Sequence, residues 1–389
     1  MAGDLDHRGP LPGDGGLHFL PRPTDYFESD VDEMQSLAGE LLDEPLLDVS
    51  LGSKELFHSN LIARLCLVHP DAAERIFAPW LVSSAAATAH FVKREYKNTD
   101  LVVGLPGYEP ILIENKAFSL PDEAQLDRYA REVAPLLGGG AVLLLLSLAD
   151  PLWTDDLHRS GDRVWRRISY AQLGERMSAE FWDRPGFDTQ ILAHEGHFLG
   201  LLDRLVNATT IKSTSEPLQL PADLHAILEP TGLTDAVAKL RTYQLRQEIA
   251  HSFDGSGLSP TLLEASFTRG QPLLSAYWEK PNGDLVGWQL QGRQWRLAMV
   301  LRSLSGRGPE AGDARARFAA AHLGWFSFDP LHEILGQPIE AAEPAREFNK
   351  FDPDFVYQYA KLDERTPVSV LLELAVAYGQ RAEHFSFAK

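Results

Sequence analysis

The residues best suited to chemistry lie in one stretch, Lys97-Asn-Thr-Asp100 through Ile113-Glu114-Asn115-Lys116-Ala-Phe118. Asp100 opens a β-like run, Asp100–Val103, and a turn-rich loop (GLPGYEP) leads into a second run, Ile111–Phe118. Side chains two apart on a strand share a face, so Glu114 and Lys116 point the same way. A hairpin lays Asp100 beside them, and two carboxylates and one ammonium converge. The flanks Ile111-Leu112-Ile113 and Ala117-Phe118 put this strand inside the protein, where an unpaired carboxylate costs on the order of several kcal/mol. A divalent cation offsets that cost. Two carboxylates and the Asn115 backbone carbonyl leave positions for water and phosphate, which suits Mg²⁺, with Mn²⁺ as a substitute. Such an ion acidifies its bound water and takes up charge in the transition state, and Lys116 can orient or deprotonate the attacking water. The competing reading is a partly buried Glu–Lys pair with no function, and spacing alone does not choose between the two.

The neighbours add to the pattern. Gln125 and Tyr129 are four apart on the next helical segment and share a face. Upstream, Glu55 opens the first strongly periodic helix, and His58, Ser59 and Asn60 are polar groups in an otherwise apolar pattern. The ordered set Glu55, Asp100, Glu114-Asn115-Lys116 and Gln125…Tyr129 resembles the PD-(D/E)XK nuclease superfamily. It is similar also to a smaller bacterial group in that superfamily, many of unknown role, through ELFHS, LIENK and QLDRY. The resemblance covers residues 53–182 and extends faintly to FDPDFVYQYAKL near the C-terminus. Thr99 stands where the superfamily's name has proline.

The resemblance implies an α/β fold, a restriction-endonuclease-like mixed sheet flanked by helices. It implies catalytic roles for Asp100, Glu114, Lys116 and Gln125. Asp100, Glu114, Asn115 and Glu55 would hold Mg²⁺, and Tyr129 and His58 would support the site. The implied activity is hydrolysis of phosphodiester bonds in nucleic acid, DNA favoured, and the implied setting is restriction or antiviral defence.

These residues must be placed by the surrounding elements. Leu56, Phe57, Leu61, Leu65 and Val68 give a helical face that ends near Pro70, and a second helix is predicted over Asp71–Leu81. Ala89–Val103 reads as one extended run, Ile111–Ala117 as a strand and Asp122–Leu137 as a helix. Ala141–Leu148 is apolar but for Ser147, the pattern of a strand buried on both faces in a parallel sheet. Trp165–Ile168 reads as a further strand, and Ser169 caps a helix over Tyr170–Glu180. In the C-terminal half, Phe187–Thr210 and Leu220–His251 read as helices. Leu263–Tyr277, Leu285–Gln291 and Gln294–Leu301 form an antiparallel meander turned at Pro281–Asp284. Helices near Asp313–His322 and Val368–Phe385 follow. The chain thus divides into an acidic segment (1–45), a nuclease-like domain (46–190) and an α+β region for substrate or partner binding (191–389).

Composition bounds the alternatives. The 389 residues carry a net charge of −19, and residues 1–45 hold 11 acidic against two basic residues. That field repels phosphate, which excludes a histone-like or polybasic membrane protein but permits a local basic groove. The Pro- and Gly-rich first two dozen residues read as mobile or irregularly wrapped, and Tyr26–Leu47 as an acidic helix. One cysteine, Cys66, excludes a disulfide framework and cysteine-rich metal sites. The absence of a signal-like N-terminus and of long apolar runs predicts a cytoplasmic protein away from membranes.

Other signals are weaker. His194-Glu195-Gly196-His197 has the wrong spacing for a zinc helix and reads as exposed histidines. Gly255-Ser256-Gly257 fits no nucleotide or nucleophile motif. Residues 291–317 hold six arginines against two acids beside Trp288 and Trp295, so Arg293, Arg296 and Arg302 are candidates for gripping nucleic acid. Two functions from different classes stand: a metal-dependent nuclease, and a catalytically silent module of the same fold that senses nucleic acid or binds a protein partner or second copy. An intact Asp/Glu/Lys set favours the first, and the acidic net charge the second.

Overall fold

The structure, a computed structural model, describes residues 28–85, 88–138, 140–268, 271–336 and 348–387. The Pro- and Gly-rich N-terminal stretch lies outside the described residues. The chain begins with helices α1 (Glu28–Asp43), α2 (Leu47–Ser53), α3 (Glu55–Val68) and α4 (Pro70–Phe77). Then come β1 (Phe91–Arg94), β2 (Leu101–Gly104), β3 (Ile111–Lys116), α5 (Glu123–Glu132), β4 (Val142–Ser147), β5 (Leu157–Ser160), β6 (Arg163–Ser169), α6 (Tyr170–Phe181) and α7 (Phe187–Thr209). Helices α8 (Ala222–Leu228) and α9 (Thr234–Ser256) lead to β7 (Leu262–Thr268), β8 (Gln271–Glu279), β9 (Leu285–Gln291) and β10 (Gln294–Val300). The chain closes with α10 (Pro309–Ala321), α11 (Asp329–Leu335), β11 (Asn349–Phe351), β12 (Phe355–Lys361) and α12 (Val368–His384). No helix among the described residues is long and apolar enough to cross a membrane.

The fold is mixed α/β with two six-stranded sheets. The first runs β1-β2-β3-β4-β6-β5 and the second β11-β12-β10-β9-β8-β7. In the first, β4 lies parallel between β3 and β6, and every residue of it is buried. This is the burial pattern its apolar run predicts. β1 pairs with β2, β2 with β3 and β5 with β6 antiparallel, so the sheet is mixed. The second sheet is antiparallel throughout.

Period-two alternation divides the first sheet's faces. Val102, Leu112, Leu143 and Leu145 pack on α5 through Leu126, Tyr129 and Ala130. Ile111, Ile113, Leu144 and Leu146 enter the larger core built from α1, α3, α4, α6 and α7. That core also takes in Leu224, Leu228 and Val237 from beyond residue 190. The second core gathers Leu245, Ile249 and Phe253 of α9, the inner face of the second sheet and α12.

Several boundaries differ from the sequence reading. Ala89–Val103 is a hairpin rather than one extended run, because Glu95 (φ 51°), Lys97 (φ 56°) and Asn98 (φ 66°) adopt left-handed backbone and reverse the chain. Asp122–Leu137 ends as an α-helix at Glu132, though Asp122 does cap it, accepting from the Gln125 N–H. Leu220–His251 is two helices separated at Gly232 (φ 70°). Leu263–Tyr277 is likewise two paired strands, β7 and β8.

Candidate active site at the exit of strand β3

Asp100 immediately precedes β2, whose Leu101 pairs with Ile113. Continuing that antiparallel register by one residue brings Asp100 opposite Glu114. The Asn115 backbone N–H donates to Asp100 Oδ2 at 2.7 Å. A residue's N–H and C=O leave a strand on the same side, and successive residues alternate sides. The Lys116 carbonyl accepts from Leu148 N on the β4 side, so the Asn115 carbonyl faces the Asp100 side.

Glu114 and Lys116 project from the α5 face. Glu114 is buried, and its Oε1 lies 2.9 Å from Lys116 Nζ, while its Oε2 is buried with no hydrogen-bond partner. Burial, and then the nearby Asp100 carboxylate, push the Glu114 carboxyl up to about 7; Lys116 pulls the other way and does not prevail. Asp100 is also raised, by burial first, against the pull of the Asn115 N–H and Lys116. Lys116 Nζ donates to Gln125 Oε1 at 2.8 Å, and Gln125 Nε2 donates to Tyr129 Oη at 2.8 Å. Tyr129 in turn donates to the Asn98 carbonyl, two residues before Asp100. The bonds thus form a ring from the Asp100 strand through β3 and α5 and back.

The Asn115 side chain points to the opposite face. Its Nδ2 donates to the Glu55 carbonyl (3.0 Å) and Ser59 Oγ (3.1 Å), and its Oδ1 accepts from Tyr170 Oη (2.6 Å). These bonds hold the strand to α3 and α6 while its backbone serves the site. Glu55 is close enough to raise Asp100 electrostatically, yet its Oε1 accepts from the Phe118 N–H at 2.9 Å. Among the described residues no group of three or more His, Cys, Asp or Glu side chains is set to hold a metal ion. The strand instead offers two carboxylates and a carbonyl. The unpartnered Glu114 Oε2 and the push of the Asp100 carboxylate on Glu114 fit a divalent cation, which favours the ionised form.

The other residues singled out in the sequence are placed as follows. His58 does not bond the carboxylates: it is fully buried, its Nδ1 2.7 Å from Glu195 Oε1 and its Nε2 3.0 Å from Ser50 Oγ, in a box of Phe57, Phe118, Tyr170 and Phe198. Glu195, which the exposed-histidine reading of 194–197 passed over, is therefore a core residue. Trp288 and Trp295 cannot stack on bases, since both are buried and stack on each other at 4.7 Å. Arg293 bonds the Leu362 carbonyl, Arg302 the Gly283 carbonyl, and Arg296 lies 4.6 Å over Tyr357 while bonding Gln294. Arg315 is buried against Asp352. Cys66 is buried, and burial pushes its thiol up to about 12, which leaves it inert.

No family model, curated protein or solved structure matches this chain.

Proposed function

We propose that the protein is a metal-dependent phosphodiesterase acting on nucleic acid, with DNA the favoured substrate and a restriction-endonuclease-like first domain. The observation that carries this reading is Glu114: a buried carboxylate with one unsatisfied oxygen, raised to about 7, beside a second carboxylate and an ammonium. Perturbed groups of this kind gather at functional sites. The sequence resemblance to PD-(D/E)XK nucleases supports the same reading.

Asp100, Glu114 and the Asn115 carbonyl would hold Mg²⁺ or Mn²⁺. A bound ion of this kind acidifies water and stabilises negative charge on a phosphoryl group. Lys116, held by Gln125, is placed to orient the attacking water and to face the scissile phosphate. Gln125 and Tyr129 position that ammonium. Asp100, through the Asn115 N–H, fixes the two strands that carry the carboxylates.

A second reading has its own observation: Glu114 and Lys116 are already paired at 2.9 Å. This favours a module that keeps the site's charge balance without hydrolysis and senses nucleic acid or a protein partner. A cleavage assay on single- and double-stranded DNA and RNA with Mg²⁺, Mn²⁺ or EDTA decides. Metal-dependent cleavage lost in Asp100→Ala supports the enzyme; no cleavage under any metal supports the module.

A further inference from the structure

Helix α9 runs past the exits of the parallel strands. Lys239 Nζ donates to the Phe118 carbonyl at 3.3 Å, two residues beyond Lys116. Further along the helix, Gln247 Nε2 donates to the Asp150 carbonyl at 2.7 Å, three residues past the end of β4. In α/β sheets this carboxyl edge is where ligands bind. α9 therefore borders the approach to Glu114 and Lys116.

Lys239 is out of keeping with its surroundings. It is half-buried, and its ammonium lies 4.6 Å over the Phe267 ring. Acidic residues outnumber basic ones 55 to 36, yet among the described residues neither Lys239 nor the neighbouring Lys54 forms an ion pair. Burial and Lys54 act to discharge Lys239, with Glu55 and Asp235 opposing more weakly. A half-desolvated cation that bonds a carbonyl, lies over a ring and forms no ion pair is stabilised by an incoming anion. Lys54 itself sits in left-handed backbone (φ 50°) at the start of α3, the kind of strained position that recurs at ligand-binding sites.

Resting on the phosphodiesterase reading above, we propose that Lys239 is a phosphate-binding residue, presented by α9 at the exit of β3 to hold a backbone phosphate flanking the scissile one, with Lys54 on the same rim.

The test is the salt dependence of binding to short fluorescein-labelled DNA, single- and double-stranded, read by anisotropy in Ca²⁺. Loss of one phosphate contact is expected to lower the slope of log K against log salt by about 0.7 for single strands or about 0.9 for duplex. Lys239→Met should show that loss, as should Lys239→Gln, which keeps a donor for the Phe118 carbonyl. Lys239→Arg should restore the slope, and Arg296→Met should leave it unchanged. A purely structural lysine would lower the melting temperature without moving the slope. If the wild type binds and Lys239→Gln keeps the full slope, the lysine assignment is overturned while the phosphodiesterase reading stands. A wild type that binds none of these DNAs, nor RNAs of the same length, overturns both.

Discussion

At the scale of single residues, Glu114 makes the site's chemistry measurable through its proton. Its carboxyl sits at about 7 when folded against an ordinary 4.5, so the folded chain holds the proton more tightly than the unfolded one. Its contribution to stability is full below the unfolded value and is lost as pH rises through about 7. The metal-free protein should therefore lose melting temperature between about pH 5 and pH 7 more steeply than Glu114→Gln does. Metal binding requires the ionised form, so binding near pH 6 should release close to one proton, and far less near pH 8. Calorimetry in buffers of unlike ionisation enthalpy reads this, and equal proton release at both pH values would contradict it. For Lys116, Lys116→Met keeps the stem and removes the charge. Cleavage should fall by about 10²–10⁴ while metal still binds, and a folded variant that cuts at the wild-type rate would defeat the assignment. These residues were legible in the sequence because two-residue spacing on a strand is local. The Asn115 side-chain anchors and Glu195 were not, since the latter meets His58 across 137 residues.

Elements hold the site through close helix contact. A Cβ on Gly174 of α6 would stand 2.5 Å from the Gly196 carbonyl of α7, and one on Gly196 would stand 2.7 Å from Ser178 N and 2.8 Å from the Gly174 carbonyl. These are backbone atoms, which cannot swing aside. The close crossing brings α7 near enough for Glu195 to reach His58. Gly196→Ala should thus cost about 1–3 kcal/mol, read as a lower urea midpoint with unchanged m-value. His58→Phe keeps the aromatic box but leaves a buried carboxylate alone, a loss of about 3–5 kcal/mol. The folded fraction should keep its cleavage rate, and a variant as stable as wild type but inactive would return His58 to the site. Helical periodicity and the apolar β4 run made most elements visible beforehand. The β1–β2 turn was hidden because Glu95, Lys97 and Asn98 turn the chain without glycine. The breaks do carry turn residues, Pro230-Thr231-Gly232 in one and Thr268-Arg269-Gly270 in the other, but the longer periodic runs around them read as continuous.

At the scale of the whole molecule, α9 belongs to both cores. Val237 packs with the first, while Leu245, Ile249 and Phe253 pack with the second. Melting one sheet removes the support of the helix that the other needs, so unfolding should be a single cooperative transition. The tryptophans report this: Trp165 lies in the first sheet, and Trp288 and Trp295 in the second. Fluorescence and far-ultraviolet circular dichroism should change at one denaturant midpoint, and two separated midpoints would show that the cores are independent. This sharing is not legible from residue pattern alone, because α9 has polar residues on all sides and no composition shift along its length.

A helix anchored at both ends in different cores acts as a beam, not a hinge. Twenty-three residues of α-helix span about 35 Å, and bending that length sharply would break its backbone hydrogen bonds. Hence the two sheets cannot clap shut over a substrate as the lobes of a hinged enzyme do. The distance between the two sheets is then a fixed gauge, set by the length of one helix.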